Sequence, residues 1–432
     1  MTRPRAHKVR EPRAMPSGAG RTLVVHAAEL LTLRGAPAPR TREAASDVGL
    51  VEDGAVLLEG ERIVDVGPSR DVIARNPRPG RTIDATGKVV LPGFVDAHTH
   101  AIFAGSREHE VEWKAEGLSY AEIASKGGGI LHTVRMTREA DEDALAATGA
   151  ERLARMRAAG ATTIEVKSGY GLRIEAELKI LRAATRAGTL AGVDVVPTFL
   201  GAHAVPPEFE GRADAYVDVL IREGIPAVAR EGLAAFCDVF LEAGYFTRDQ
   251  AVRLLEAGHT SGLRPKVHAD ELSDAGGAAL AAELGATSAD HLLHVSDAGI
   301  EALAKAAVVG VLLPATSLAS RLPFADGRRL VAAGVPVALG TDFNPNCWCE
   351  SMQLAIALAC HHNGLTSAQA IVASTINAAH AVGRAHEVGS LEAGKLADVL
   401  VLDVPSYRHL GYRLGGNAVE RVVRRGRVVD AR

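Results

Sequence analysis

Aromatic residues make up only 4% of the 432 residues, and the chain has four cysteines and two tryptophans. Cys237, Cys347, Cys349 and Cys360 are too few and too scattered for a disulfide framework, and they point to a reducing, cytoplasmic setting. No run of about 18 uncharged apolar residues occurs, so no membrane-spanning helix is expected. A net charge of −4 removes any general electrostatic case for nucleic acid or a membrane surface. The first twenty residues are rich in Arg, Pro and Gly, have Glu11 as their only acid, and lack the apolar stretch of a secretory signal. Residues 1–21 read as a disordered extension, with folded sequence beginning near Thr22.

The chain does have 47% hydrophobic residues and 44 glycines, a composition suited to tightly packed α/β layers, and a length sufficient for one large barrel plus a small accessory domain. Short β-like runs at 23–26, 55–58 and 63–66 are separated by polar, Gly- and Pro-containing turns, and 397–403 and 419–429 have the same texture. Between them, apolar strands near 89–97, 162–167, 193–200, 235–241, 264–269, 286–291, 309–313 and 336–341 alternate with segments of helical period such as 139–158, 175–187, 247–260, 275–284 and 297–307. Strands in βα alternation predict a (β/α)8 TIM-like barrel over 89–389. The two β-rich ends, 22–88 and 390–432, are expected to pair into one small β-sandwich domain. Strands one and two are separated by residues 101–161, whose Gly127-Gly128-Gly129 run fits a mobile loop over the barrel mouth.

Residues 91–101, LPGFVDAHTHA, are the most informative segment. An apolar strand delivers His98 and His100 to its end, and residues two apart on a strand share a face, so both imidazoles can reach one ion. In a barrel of this kind function gathers at the C-terminal strand ends. Strand two ends in Lys167-Ser-Gly-Tyr170 and strand three runs into Gly201-Ala-His203. Strand five ends in His268-Ala-Asp270-Glu271, strand six in Asp290-His291, and strand eight in Gly340-Thr-Asp342. The simplest allocation gives a metal His98, His100, His268 and Asp342, three neutral imidazoles and one carboxylate, which suit Zn2+ and Fe2+ or Fe3+ alike. Such an ion acidifies a bound water toward about pH 7, and Glu271 and His291 are then the candidate proton carriers. Cys347-x-Cys349 with His361 and His362 has the wrong spacing for a zinc finger.

This pattern, with PGFVDAHTH and the late GSLEAGKLADVLVLD, resembles the amidohydrolase superfamily. The pieces HTHAIFAGSREHE, EVKSGYGL, TFLGAHAVPPE, VHADE, SADHLLH and LGTDFNPN resemble, more narrowly, the imidazolonepropionase family, over roughly residues 25–430. The resemblance implies hydrolysis of a cyclic amide in a small carboxylate-bearing substrate of histidine degradation, one zinc or iron ion per chain, and a homodimer. It implies substrate contacts at Arg107, Tyr170, His203, Glu271 and Asn344, completed by the loop through Asn346 and Cys347, where this chain departs from the common family pattern. Arg107 is expected to fork onto the substrate carboxylate, and His203 to act as an electrophilic neighbour of the ring carbonyl. The catalytic set is then Glu271, His291, Asp342 and His203, with Glu271 as an ionised proton shuttle. Two-metal relatives bridge their ions with a carboxylated lysine at strand four. Here Lys167 ends strand two and strand four offers none, so one ion is expected. The competing readings are a heterocycle deaminase, which has no use for Arg107, and an inactive barrel scaffold, which would have lost its ligands.

Overall fold

The computed structural model describes residues 20–118 and 120–430, so most of the extension expected over 1–21 lies outside the described residues. Strands β1 (Arg21–Leu31), β2 (Leu50–Glu59), β3 (Arg62–Pro68), β4 (Arg81–Asp84) and β5 (Val89–Pro92) come first. Eight strands follow: β6 (Phe94–Asp96), β7 (Ala161–Lys167), β8 (Asp194–Ala202), β9 (Phe236–Leu241), β10 (Arg264–Ala269), β11 (Ser288–His291), β12 (Val309–Leu312) and β13 (Val337–Leu339). The chain ends in β14 (Val399–Leu402), β15 (Val419–Arg424) and β16 (Arg427–Asp430).

The middle strands run parallel in chain order from β6 to β13. The seam between the last and the first is closed just beyond the strands, where Asp342 N donates to His98 O at 2.9 Å and His100 N donates to Phe343 O at 2.8 Å. Asp96 reinforces it by accepting from Thr341 N at 2.9 Å and Thr341 Oγ1 at 2.6 Å. Helices pack outside with recognisable starts. Asp141 caps Glu142–Ala158, Thr247 and Gln250 form a reciprocal capping box on Arg248–Thr260, and Ser296 caps Asp297–Ala306.

Both chain ends meet in one sheet of order β16-β15-β14-β5-β1-β2-β3, with β4 beside β1. Alternation along β14 sends Val399 and Val401 into the sheet's own apolar cluster with Val24, Val56 and Val90, and Leu400 and Leu402 into the barrel core. The strand expected over 89–97 is divided at Gly93. Residues 89–92 pair with β1 and β14, and only Phe94–Asp96 joins the barrel. Gly93 lies so close to Thr162 that a Cβ there would sit 2.2 Å from its Oγ1, so the crossing needs glycine. The helix expected over 139–158 likewise starts at Glu142 and is preceded by a separate helix, Gly129–Glu139.

Candidate active site

The barrel interior is not uniformly apolar: Lys167 and Lys266 are among its largest fully buried side chains. The ends of β6, β10 and β13 bring imidazoles and a carboxylate together above them. His98 Nε2 lies 3.3 Å from His100 Nε2 and 3.5 Å from Asp342 Oδ1, and His100 Nε2 is 3.7 Å from the same oxygen. Ligand atoms of His98, His100 and Asp342 lie within 4.8 Å of one another, as do those of His98, His268 and His291, and of His100, His203 and His268. Thr316 Oγ1 donates to Asp342 Oδ2 at 2.6 Å, which leaves Oδ1 turned toward the imidazoles. Asp342 and His291 hold the left-handed backbone region, at φ 47° and 80°. That conformation costs non-glycine residues free energy, and here it accompanies side chains held on the cavity wall.

Beneath these groups is a layer of buried charge. Asp290 Oδ2 lies 2.7 Å from His98 Nδ1, and Asp238 Oδ2 lies 3.0 Å from His268 Nδ1. Asp290 therefore takes the His98 Nδ1 hydrogen and leaves the His98 Nε2 lone pair for the cavity side, while Asp238 sits beside His268 as an ion-pair partner. Lys167 Nζ reaches Asp238 at 2.8 Å, Glu165 at 3.0 Å and Asp290 at 3.2 Å, and Lys266 Nζ reaches Glu165 at 2.8 Å. Attraction to these three carboxylates outweighs burial and holds Lys167 charged. Its ammonium is engaged in this layer and does not bridge ligands.

Above the layer is a cavity of about 460 Å³, lined by His100, His203, His268, His291, Glu271 and Asp342 at its floor. Glu271 Oε2 lies 3.6 Å from His291 Nε2. Burial, and next the charge of Asp342, push the Glu271 carboxyl up to about 8, so among these protein groups it keeps a proton at neutral pH. The ionised Glu271 expected from the sequence requires a neighbouring cation to reverse that balance. Burial pushes His203 down to about 3, so it is a neutral imidazole. Its Nδ1 lies 3.1 Å from the Gly169 carbonyl and donates to it, which makes Nε2 an acceptor. The expectation that His203 donates to a ring carbonyl is therefore corrected: in this tautomer it has no second N–H to give.

The roof comes from residues 101–161 and from the loop after β13. Tyr170 is buried, lines the cavity, and packs 5.4 Å from the His203 ring. Arg107 also lines it, but its Nε and one terminal nitrogen fork onto Glu110 at 2.8 and 2.7 Å. Glu110 is buried and further accepts from Gly129 N at 2.7 Å, which ties the triple-glycine turn to the same pair. Asn344 reaches the cavity, yet its amide is committed to the loop: it donates to Asp342 O and accepts from Asn346 N, both at 2.7 Å. Asn346 accepts from Lys114 Nζ at 2.6 Å and donates to Ser320 Oγ at 2.8 Å. Cys347 does not line the cavity. Its thiol is buried with Ala315, Cys349 and Leu358, and its Sγ lies 3.9 Å from Thr341 O.

Sequence reasoning passed over Lys114 and Arg321 on the cavity wall, and Glu165, Asp238, Lys266 and Asp290 below it. The lower group had a signal: Glu165–Lys167 and Lys266–His268 are charged or titratable pairs two apart within otherwise apolar strands, which places them on one inward face. Lys114 and Arg321 had none, since they stand on surface-type helical segments.

The donor set fits a divalent ion. Asp342 Oδ1 and both ring nitrogens of His268 are buried without a hydrogen-bond partner, and the tautomer imposed by Asp290 aims the His98 lone pair into the same space. The barrel, the paired histidines after β6 and the carboxylate after β13 are the arrangement of a hydrolase whose side chains could hold a metal ion. The amidohydrolase family matches residues 89–429, and the chain belongs to it. The solved E. coli guanine deaminase shares the fold at a TM-score of 0.72 and 15% identity, over 95% of this chain and 99% of that one. An imidazolonepropionase of Geobacillus kaustophilus is 51% identical over 94% of this chain and 97% of its own length. One of Symbiobacterium thermophilum is 50% identical over 94% and 96%. Within the amidohydrolases, the chain belongs to the imidazolonepropionase family.

Proposed function

We propose that the chain opens the cyclic amide of 4-imidazolone-5-propanoate to N-formimidoyl-L-glutamate in histidine degradation, with one Zn2+ or Fe2+/Fe3+ ion per chain. Family membership supports the reaction. The observation that carries it is one cavity that joins an imidazole–carboxylate floor to walls bearing three cations, Arg107, Lys114 and Arg321. A neutral heterocycle would have no use for those cations, whereas a propanoate does.

In this reading His98, His100, His268 and Asp342 hold the ion, which when bound acts as a Lewis acid toward water and the amide carbonyl. Asp342 and His291 orient the water for attack on the carbonyl carbon. Glu271, on the cavity wall beside His291, takes the water's proton and gives it to the ring nitrogen as the C–N bond breaks. His203 Nε2 accepts a hydrogen bond from a ring N–H and so fixes the ring's orientation. Arg107, aided by Lys114 and Arg321, holds the carboxylate, while Tyr170 shapes the wall between floor and roof and Asn344 and Asn346 shape the roof. The chain divides close to the expected bounds, 89–389 for the barrel and 22–88 with 390–432 for the composite β domain, except that Val89–Pro92 joins the composite sheet. Among the described residues no helix is long and apolar enough to cross a membrane, and the four cysteines are free thiols, which supports a cytoplasmic setting.

The test is incubation with freshly made imidazolone propanoate beside a neutral imidazolone that lacks the side chain. Loss of ultraviolet absorbance and formimidoylglutamate formation are expected from the first only. Equal turnover of the neutral ring would refute the carboxylate assignment.

A further inference from the structure

The three carboxylates beneath the metal-ligand candidates repel one another, and none is reached by water. Lysine supplies three N–H donors from one nitrogen, and Lys167 Nζ has three carboxylate neighbours, Asp238, Glu165 and Asp290. The two oxygens that hold the imidazoles are the same atoms that Lys167 holds. Asp238 Oδ2 meets both Lys167 Nζ at 2.8 Å and His268 Nδ1 at 3.0 Å, and Asp290 Oδ2 meets both His98 Nδ1 at 2.7 Å and Lys167 Nζ at 3.2 Å. The groups come from β6, β7, β9, β10 and β11, so one nitrogen fixes geometry across more than half of the barrel. Lys266 anchors Glu165 from the far side and keeps the third carboxylate in place.

We propose that Lys167 is a positioning residue: its ammonium, as a built-in cation, clamps Asp238 and Asp290 so that His98 and His268 both present Nε2 lone pairs to one ion. The inference rests on the reading of His98 and His268 as ligands. Without the clamp, Asp238 and Asp290 lose the shared partner that fixes their Oδ2 atoms, and mutual repulsion moves these carboxylates and the imidazoles they hold out of register.

The experiment compares Zn2+ affinity, by competition with a chelating dye, and the visible spectrum of the Co2+-loaded protein, in wild type and two variants. Lys167→Gln removes the ammonium alone. Lys167→Gln/Glu165→Gln removes one positive and one negative charge, which keeps the buried charge balanced while Asp238 and Asp290 remain. Both should bind Zn2+ about 10- to 100-fold more weakly, the usual effect of losing a partner behind a metal ligand. Both should also show an altered Co2+ spectrum. Wild-type affinity and spectrum in the charge-balanced pair would overturn the proposal and leave Lys167 as a charge-neutralising group. If neither variant folds, as judged by circular dichroism, Lys167 belongs to folding and the proposal also fails. His98→Ala separates the two readings. If it keeps a tightly bound ion, the ligand assignment is at fault; if it loses the ion while the pair variant does not, only the clamp is.

Discussion

The floor and the roof of the cavity are built on opposite terms. Floor side chains stand at strand ends and are held by partners that hold nothing else in the cavity: Asp290 behind His98 and Asp238 behind His268, neither of which lines the cavity, and Thr316 beside Asp342. Their cavity-facing atoms, such as Asp342 Oδ1 and His268 Nε2, have no partner. Roof side chains are bonded to one another instead, Arg107 to Glu110 and Lys114 through Asn346 to Ser320. The floor is thus organised before anything binds, as a reacting centre requires, while the roof must adjust around its ligand. Loops between the two follow the floor's pattern: Glu177 accepts from Gly169, Gly171 and Leu172 around Tyr170, and Glu242 accepts from Leu272 and Ser273 beside Glu271.

The contrast orders the expected losses. Asp342→Ala removes a floor ligand, so metal affinity should fall by more than about 100-fold, the upper range for losing an outer partner alone. Turnover should drop to background, with metal content read alongside the rate; a metal-free variant at full speed would break the distinction between floor and roof. Glu271→Gln should keep the ion and lose about 10²–10⁴ in kcat, the size of a general acid–base contribution. Loss of metal together with rate would make Glu271 a ligand instead. In the roof, Arg107→Ala should lower kcat/KM by roughly 10- to 100-fold, mostly through KM, in keeping with one charge-assisted hydrogen bond. An equal fall in kcat with KM unchanged would move Arg107 to the floor's side of the comparison.

A separate effect is on stability. Glu271 is raised from 4.5 to about 8 in the folded chain, so the folded state binds its proton more tightly than the unfolded state. That contribution is complete below about pH 4.5 and is lost as pH rises through about 8. Melting of chelator-treated wild type should therefore decline over this window relative to Glu271→Gln, which cannot titrate there. Parallel profiles for the two proteins would show that Glu271 is ordinarily ionised.

The floor was legible in the sequence because strand geometry makes it so. His98 and His100 two apart, and His268 and Asp342 at later strand ends, converge whatever the details of the outer helices. The division at Gly93 was not legible, because a buried apolar run reads alike whether it serves one sheet or two. Arg107 was read as a carboxylate fork, yet its nearest carboxylate is Glu110, three residues on in the chain. Pairings of that kind depend on rotamers and on which turn a segment takes, neither of which leaves a periodic trace. The side-chain direction of Cys347 was equally illegible: a residue next to a cavity-lining Asn346 can point the other way, here into Ala315 and Leu358.

The central claim is that a single ion on a floor organised from below opens a carboxylate-bearing ring. The most direct measurement strips the protein with a chelator and follows the ultraviolet absorbance of fresh imidazolone propanoate as Zn2+ or Fe2+ is titrated back. Negligible turnover is expected in the stripped protein, with recovery that saturates at one ion per chain. Full activity without metal, or a requirement for two ions, would contradict it.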